Sequence, residues 1–190
     1  MERFLIIQTA FLGDLVLTLP VIQVLKKEFP QSSIDLLLIP STYDAVKDNP
    51  LIAETIIYDK RSGSARDLLS LGRKLKEKSY DVLISPHRSA RSAMLGKLAG
   101  AEKSISFDTS SLSFLYRDTV NYRKDVHEIL RNLDLLRTLG KSRDEIVRPD
   151  MYIGETEKNI AGRLMQDLKL TDEKFVAVAH GSVWKTKRFP

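Results

Sequence analysis

Short apolar runs alternate along this chain with longer segments in which apolar residues recur every three or four positions. The short runs predict β-strands, and the longer periodic segments predict amphipathic helices. Strands are predicted at residues 4–8, 33–39, 54–58, 81–85 and 103–107, and helices within 14–29 and at 41–48, 65–78, 89–99 and 126–139. Regular alternation of strand and helix is typical of an α/β fold with a parallel sheet and helices on both faces.

The pattern changes after this alternation, where a polar, charged stretch broken by Pro149 predicts a linker. One helix at 155–168 and one strand at 174–179 follow, and these two elements are too few to bury a core of their own. We therefore expect one complete domain and only the opening of a second. The expected divisions are an N-terminal domain at 1–140, a linker at 141–153 and an incomplete C-terminal domain at 154–190.

Composition and charge narrow the range of partners. Hydrophobic residues make up 43% of the chain, cysteine is absent, and no apolar run approaches the ~20 residues that span a bilayer. We expect a soluble intracellular protein without disulfides or thiolate chemistry. The formal charge is +5, but residues 60–102 alone hold ten basic residues against four acids. This concentration indicates either a solvated helix face, as for residues 73–78, or a polyanionic partner: a phosphorylated substrate, a nucleic acid or an anionic membrane.

Several common catalytic signatures are missing from the sequence. No G-x-G-x-x-G follows the first strand, no Asp-x-Asp pair is available for a metal-bound sugar nucleotide, and there is no G-x-S-x-G elbow. His127 and Glu128 begin like a zinc-protease helix, but Arg131 stands where the second histidine would be. We therefore expect chemistry that needs no metal.

One loop with a chemical pattern is TAFLGD, residues 9–14, which directly follows the first strand. In an open α/β sheet, ligands collect beyond the carboxyl ends of the strands, so this loop points to a cleft. Gly13 allows a ligand to approach the backbone closely. Asp14 is placed either to act as a general base or to cap the helix that follows.

The second such loop is HGSVWKTKRFP, residues 180–190, after the apolar run FVAVA. Backbone N–H groups at Gly181 and the hydroxyl of Ser182 can donate hydrogen bonds to phosphate oxygens, while Lys187 supplies a positive charge. The loop is compatible both with a diphosphate site and with an ordinary basic loop, and residue chemistry alone does not decide between them.

Taken in order, four stretches resemble the ADP-heptose:lipopolysaccharide heptosyltransferases, a family of GT-B glycosyltransferases. They are LIIQTAFLGDLVLTLPVIQVLKKEFP, YDVLISPHRSARSAMLGKLAGA, VHEILRNLDLLRTLG and HGSVWKTKRFP. Together they extend over essentially the whole chain, and HRSARSA is most similar to the heptosyltransferase II branch.

The resemblance implies a GT-B enzyme with two Rossmann-like domains, of which the N-terminal one binds the acceptor and the C-terminal one the donor. The donor would be ADP-L-glycero-D-manno-heptose and the acceptor the inner core of lipopolysaccharide. Transfer would invert the anomeric centre and need neither a metal nor another cofactor.

The resemblance also implies roles for individual residues. Asp14, in the family's Gly-Asp motif, would be the catalytic base. The donor phosphates would be bound by Gly181, Ser182 and Lys187, and Lys187 would balance the charge that develops on the departing ADP. The acceptor would be contacted by Gly13, Arg88, Arg91 and Arg117.

Family members are about twice as long as a single domain. We therefore expect this chain to hold the base and the acceptor face but only the rim of the donor site, and to have little or no activity alone. A lipid-linked acceptor and the basic charge also predict a cytoplasmic protein in peripheral contact with the inner membrane.

Two other interpretations stay open: a non-catalytic module that binds an anionic lipid or glycan, and a GT-B transferase that uses another nucleotide sugar. Nucleic-acid binding is not favoured, because the basic region holds a single aromatic residue, Tyr80.

Overall fold

Six parallel strands form the sheet of this protein, as given by a computed structural model that describes residues 2–59, 64–141, 143–170 and 174–178. The strands are β1 (Arg3–Gln8), β2 (Ser33–Leu38), β3 (Glu54–Ile57), β4 (Val82–Ser85), β5 (Lys103–Phe107) and β6 (Asp118–Val120). The helices are α1 (Leu12–Val16), α2 (Leu19–Glu28), α3 (Ala65–Glu77), α4 (Ala90–Ala99), α5 (Glu128–Asp134) and α6 (Glu155–Asp167). Short 3₁₀ helices lie at Pro40–Ala45, Ser113–Leu115 and Leu135–Leu139.

The strand order is β3-β2-β1-β4-β5-β6, and every neighbouring pair is parallel. Helices α2 and α5 pack on one face of the sheet, and α3 and α4 pack on the other. In β1, Phe4 and Ile6 belong to the first of these cores, while Leu5 and Ile7 belong to the second. Burial on both faces explains the continuous apolar run of this strand. The predicted α/β fold, with a parallel sheet and helices on both faces, is confirmed.

Several elements differ from the predicted ones. The single helix predicted at 126–139 is α5 followed by the 3₁₀ helix Leu135–Leu139. Strand β6 was not predicted, because three residues with one apolar side chain give no readable periodicity. The predicted helix within 14–29 is two helices, and Pro20 occupies the first turn of α2, where its missing N–H is tolerated. The short helix predicted at 41–48 is the 3₁₀ helix Pro40–Ala45.

The chain divides into two compact units, Met1–Tyr152 and Ile153–Pro190. Residues 143–150 contain neither helix nor strand, as expected for a linker, yet they are fastened to the first unit. The Gln23 side-chain amide donates hydrogen bonds to the Arg148 carbonyl (3.1 Å) and to the Asp150 carboxylate (2.8 Å), and Val147 packs against the core. The domain boundaries inferred from the sequence stay predictions.

The second unit contains helix α6, which has no buried side chain. Residues 174–178 form no strand pairing within the described parts of the chain, and Val176 is 89% exposed. The strand expected at 174–179 is therefore not formed by these residues, because a strand exists only where a neighbour pairs with its backbone.

A close approach fixes the packing of α3 against α4. Gly72 of α3 faces Leu98 of α4, and a Cβ atom placed on Gly72 would lie 2.5 Å from the Leu98 Cβ. That distance leaves no room for a methyl group, and Leu98 Cβ cannot move without its backbone.

We predict that Gly72→Ala destabilises the protein although alanine favours the helix. The helix preference contributes about 1 kcal/mol, whereas overpacking costs about 1–3 kcal/mol, so a net loss of about 1 kcal/mol is expected. Urea denaturation measures the difference. Gly13→Ala is the matched control, because nothing lies within 4 Å of its added Cβ. Equal stability of Gly72→Ala and the unaltered protein would contradict the packing described.

Candidate active site

The direction in which strands are added reverses between β1 and β4. From β1 the chain proceeds to β2 and β3 on one side, then returns to place β4, β5 and β6 on the other. The connections that leave β1 and β4 therefore diverge and open a crevice beyond their carboxyl ends, which is where open α/β sheets bind ligands. The loop that contains Gly13 and Asp14 follows β1, and the loop that contains Arg88 follows β4.

Buried polar side chains hold the loop after β1. Gln8, which is 3% exposed, donates from Nε2 to the Thr18 hydroxyl (2.8 Å) and accepts from the Ala10 N–H at Oε1 (3.3 Å). The Thr18 hydroxyl in turn donates to the Asp14 carbonyl (2.8 Å). The buried side chains of Gln8 and Thr18 thus hold the backbone of Asp14 in place.

Asp14 lies at the third residue of α1, with its carboxylate exposed to solvent. Its Oδ2 accepts a hydrogen bond from the Phe11 N–H at 3.2 Å, so the carboxylate does stabilise the helix start, although Phe11 occupies the N-cap position. The described residues give the other oxygen, Oδ1, no hydrogen-bond partner. No atom lies within 4 Å of a Cβ placed on the preceding residue, Gly13, so a ligand has room beside this part of the backbone.

His87 joins the two loops across the crevice. Its Nδ1 lies 2.8 Å from the Thr9 hydroxyl, after β1, and 3.1 Å from the Ser92 hydroxyl in α4. Ser89 caps α4 by accepting from the Ser92 N–H (3.1 Å). The distance between the two loops is therefore set by side-chain hydrogen bonds as well as by the strand pairing of β1 with β4.

Arg88 extends over the ring of Tyr122, which follows β6, with 4.0 Å between its guanidinium carbon and the ring centroid. The buried Arg131 also lies over this ring, at 4.3 Å, and donates to the Tyr122 hydroxyl (3.0 Å). Arg131 is held by Glu128 and by the carbonyl of Val126. Arg131 thus holds the Tyr122 ring in place, and the ring orients the exposed Arg88 by a cation–π interaction.

The other two predicted arginines lie apart from this arrangement. Arg91 is exposed in the first turn of α4 and lines a cleft between α3 and α4. Arg117 precedes β6, and its N–H donates to the Ser104 carbonyl at 3.1 Å, near the start of β5. It therefore lies at the amino edge of the parallel sheet, away from Asp14 and Arg88. The structure does not bring Arg117 together with these residues, because the unpredicted strand β6 places it at the opposite edge of the sheet. Its role in acceptor binding stays a prediction.

One buried charge at the amino edge, that of Asp35, is balanced within the fold. The buried Asp35 accepts from the Tyr80 hydroxyl (2.7 Å) and from Lys78 Nζ (3.3 Å). Burial and this hydrogen bond raise the pKa of Tyr80 far above its usual value. Asp14 and Arg88, at the carboxyl edge, expose their charged groups to solvent instead. Exposed charged groups at the point where the strand order reverses are typical of a ligand site. Charged groups that pair with each other inside the fold stabilise the structure instead.

Gly181, Ser182 and Lys187, predicted to bind the donor phosphates, lie outside the described residues. In the part of the chain that the structure describes, no three His, Asp or Glu side chains are grouped so as to hold a metal ion. Metal independence stays an expectation. Across the same residues, each helix is too short or too polar to cross a bilayer.

Residues 68–190 match the profile of glycosyltransferase family 9 (heptosyltransferase), and the chain belongs to this family. It is 30% identical over 139 residues to lipopolysaccharide heptosyltransferase 3 of Escherichia coli K12, covering 67% of this chain and 40% of that protein. It is 26% identical over 191 residues to a putative glycosyltransferase of Haemophilus influenzae, covering 96% and 55%. The chain thus spans about half the length of the curated relatives it matches.

Solved structures agree with this assignment. The glycosyl transferase family 9 structure from Veillonella parvula superimposes with a TM-score of 0.88 at 25% identity, covering 100% of this chain and 56% of that one. An E. coli heptosyltransferase bound to ADP-2-deoxy-2-fluoro heptose gives 0.74 at 20% identity, covering 100% and 62%, which shows the shared fold. The narrower similarity to the heptosyltransferase II branch stays a prediction.

Sequence reasoning missed His87 and Tyr122. His87 lies two residues after Ser85, the buried end of β4, and this position was a usable signal. Tyr122 had none, because its contact with Arg88 depends on β6 and on a sequence separation of 34 residues.

Proposed function

We propose that this protein transfers heptose from ADP-L-glycero-D-manno-heptose to the inner core of lipopolysaccharide. The observation that carries the proposal is the exposed Asp14 carboxylate beside open space at Gly13, in the crevice between β1 and β4. Family membership supports the reaction type, since the chain matches glycosyltransferase family 9 (heptosyltransferase).

In the proposed reaction, Asp14 acts as a general base on one acceptor hydroxyl. The free Oδ1 takes the proton as the acceptor oxygen attacks the anomeric carbon of the heptose. The bond between that carbon and the ADP oxygen breaks, the electron pair leaves with ADP, and the configuration inverts. Gly181, Ser182 and Lys187 are proposed to bind the departing diphosphate, without a metal ion or other cofactor.

Arg88 is proposed to bind an anionic group of the acceptor. A guanidinium offers a planar pair of donors to a carboxylate or phosphate, and Tyr122 holds this one in a fixed orientation next to the crevice. Gly13 lets the acceptor sugar approach the backbone, and Arg91 lies farther along the same edge, in the first turn of α4.

Length limits what residues 1–190 are expected to do. Because the chain spans about half of its curated relatives, the whole reaction is a proposal for the protein expressed from its complete reading frame. We expect the 190-residue chain alone to transfer little or no heptose. A lipid-linked acceptor would bring the protein to the cytoplasmic face of the inner membrane.

A transferase that uses another nucleotide sugar is the second candidate. The Haemophilus influenzae relative, which matches 96% of this chain, is named only as a putative glycosyltransferase. Assaying ADP-heptose beside other nucleotide sugars separates the two. A non-catalytic module that binds an anionic lipid or glycan would not need Asp14. Asp14→Asn would therefore leave the function of such a module intact.

We predict that Asp14→Asn lowers kcat for heptose transfer by about a hundred-fold or more, with little change in the acceptor KM. The amide oxygen of asparagine can still accept from the Phe11 N–H, so the helix start is retained while the base is lost. The rate is measured as ADP release, with the protein expressed from its complete reading frame.

Asp48→Asn is the matched control for this variant, because Asp48 is an exposed aspartate outside the crevice. It should leave kcat unchanged. Near-normal turnover by Asp14→Asn would remove Asp14 from the chemistry.

We also predict that Tyr122→Leu raises the acceptor KM about two- to ten-fold, because Arg88 loses a cation–π contact of about 0.5–1.4 kcal/mol. Tyr122→Phe keeps the ring and should remain close to the unaltered enzyme. The same steady-state assay, with the acceptor varied, gives both values.

The decisive control is the Arg88→Ala background, where Tyr122→Leu should have no further effect on KM. An equal additional loss in that background would show that Tyr122 acts on stability and not through Arg88.

A further inference from the structure

Helices α3 and α4 carry an excess of positive charge that, apart from Arg91, the proposed transfer chemistry does not use. Together they hold six basic residues against two acids, and they pack side by side on one face of the sheet. The basic residues are Arg66, Arg73, Lys74, Lys76, Arg91 and Lys97.

Most of these cations lie in two exposed stripes, which we call the α3–α4 surface. Spacings of three and four residues place side chains on the same side of a helix. On α3 the stripe consists of Arg66, Leu69, Arg73 and Lys76, and on α4 it consists of Arg91, Met94 and Lys97, all exposed.

Two large apolar side chains lie among the cations. Leu69 is 47% exposed and Met94 is 43% exposed. Both line a single cleft of about 320 Å³, together with Arg91 and the buried Leu68, so the two stripes form one continuous surface. The close Gly72–Leu98 contact keeps the two helices at a fixed separation.

Three cations of the α3–α4 surface have no charged partner among the described residues. Within the described residues, the side chains of Arg73, Lys76 and Lys97 make no ion pair or hydrogen bond, in contrast to Lys78, which pairs with Glu54 and Asp35. Of the two acids, Asp67 accepts from the Ser64 N–H (2.7 Å) at the helix start, and Glu77 is the last residue of α3.

We propose that the α3–α4 surface docks the protein on a membrane rich in anionic lipid. Its cations would bind lipid phosphates, and Leu69 and Met94 would enter the headgroup layer, as the apolar residues of interfacial helices do. Both helices begin at the carboxyl edge of the sheet, after β3 and β4, so docking would place the crevice next to the bilayer. The inference rests on the proposed function for one point, that the acceptor is lipid-linked.

Binding of the purified 190-residue chain to vesicles tests the proposal without any transfer reaction. The chain should sediment with vesicles that contain phosphatidylglycerol and not with phosphatidylcholine alone, and added salt should weaken binding. Arg73→Glu/Lys76→Glu should reduce the partition coefficient by at least about thirty-fold, at about 1 kcal/mol for each lost cation.

Lys27→Glu/Arg148→Glu is the matched control, because it makes the same change in net charge at exposed residues outside α3 and α4. It should bind nearly as the unaltered chain does. Leu69→Ser/Met94→Ser should also weaken binding while leaving net charge unchanged. All variants are surface substitutions, and circular dichroism checks that they fold.

Equal losses in the two charge-reversal variants would overturn the proposal, since binding would then follow net charge and not this surface. Failure of the unaltered chain to bind anionic vesicles, or binding to soluble anionic glycans or DNA instead, would overturn it too. Near-normal transfer by Asp14→Asn, with vesicle binding as expected, would contradict the proposed function alone. Loss of transfer in Asp14→Asn, with no binding of the unaltered chain to anionic vesicles, would contradict the docking surface alone.

Discussion

The reversal of strand order between β1 and β4 is the constraint on which the candidate site depends. Both strands are buried on both faces, so their ends cannot shift without disturbing two cores at once. The loops that leave them diverge around helices on opposite faces of the sheet, and the gap between those loops is the crevice. Polar groups that bridge it, such as Thr9 and His87, find each other because the strands beneath them are paired in fixed register.

Aspartate has different roles at the two edges of the sheet. At the amino edge, Asp35 is buried and surrounded by Tyr80, Lys78 and Arg3, and its charge is balanced inside the fold. At the carboxyl edge, Asp14 uses one oxygen to hold a helix start and presents the other to solvent. A carboxylate whose backbone is held in place, and whose second oxygen has no partner among the described residues, is well suited to take a proton from a bound sugar.

Sequence periodicity was sufficient for the fold but not for the full site. Apolar runs such as FLIIQ and SIDLLL identify strands because a strand buried on both faces must be apolar throughout. Asp14 was found because its loop follows the first of those runs, whereas Arg88 was predicted from the resemblance to the heptosyltransferases. Tyr122 and the position of Arg117 could not be found, since both depend on β6, a three-residue strand held by pairing with β5 and not by its own pattern.

The most direct test of this account is to map where an anionic inner-core oligosaccharide binds, by amide chemical-shift changes in the isotope-labelled 190-residue chain. The account predicts that shifts concentrate at residues 9–14 and 86–92 and near Tyr122, around the carboxyl ends of β1, β4 and β6. Shifts centred instead on the amino edge, around Arg117 and Asp35, would show that the crevice is not the acceptor site.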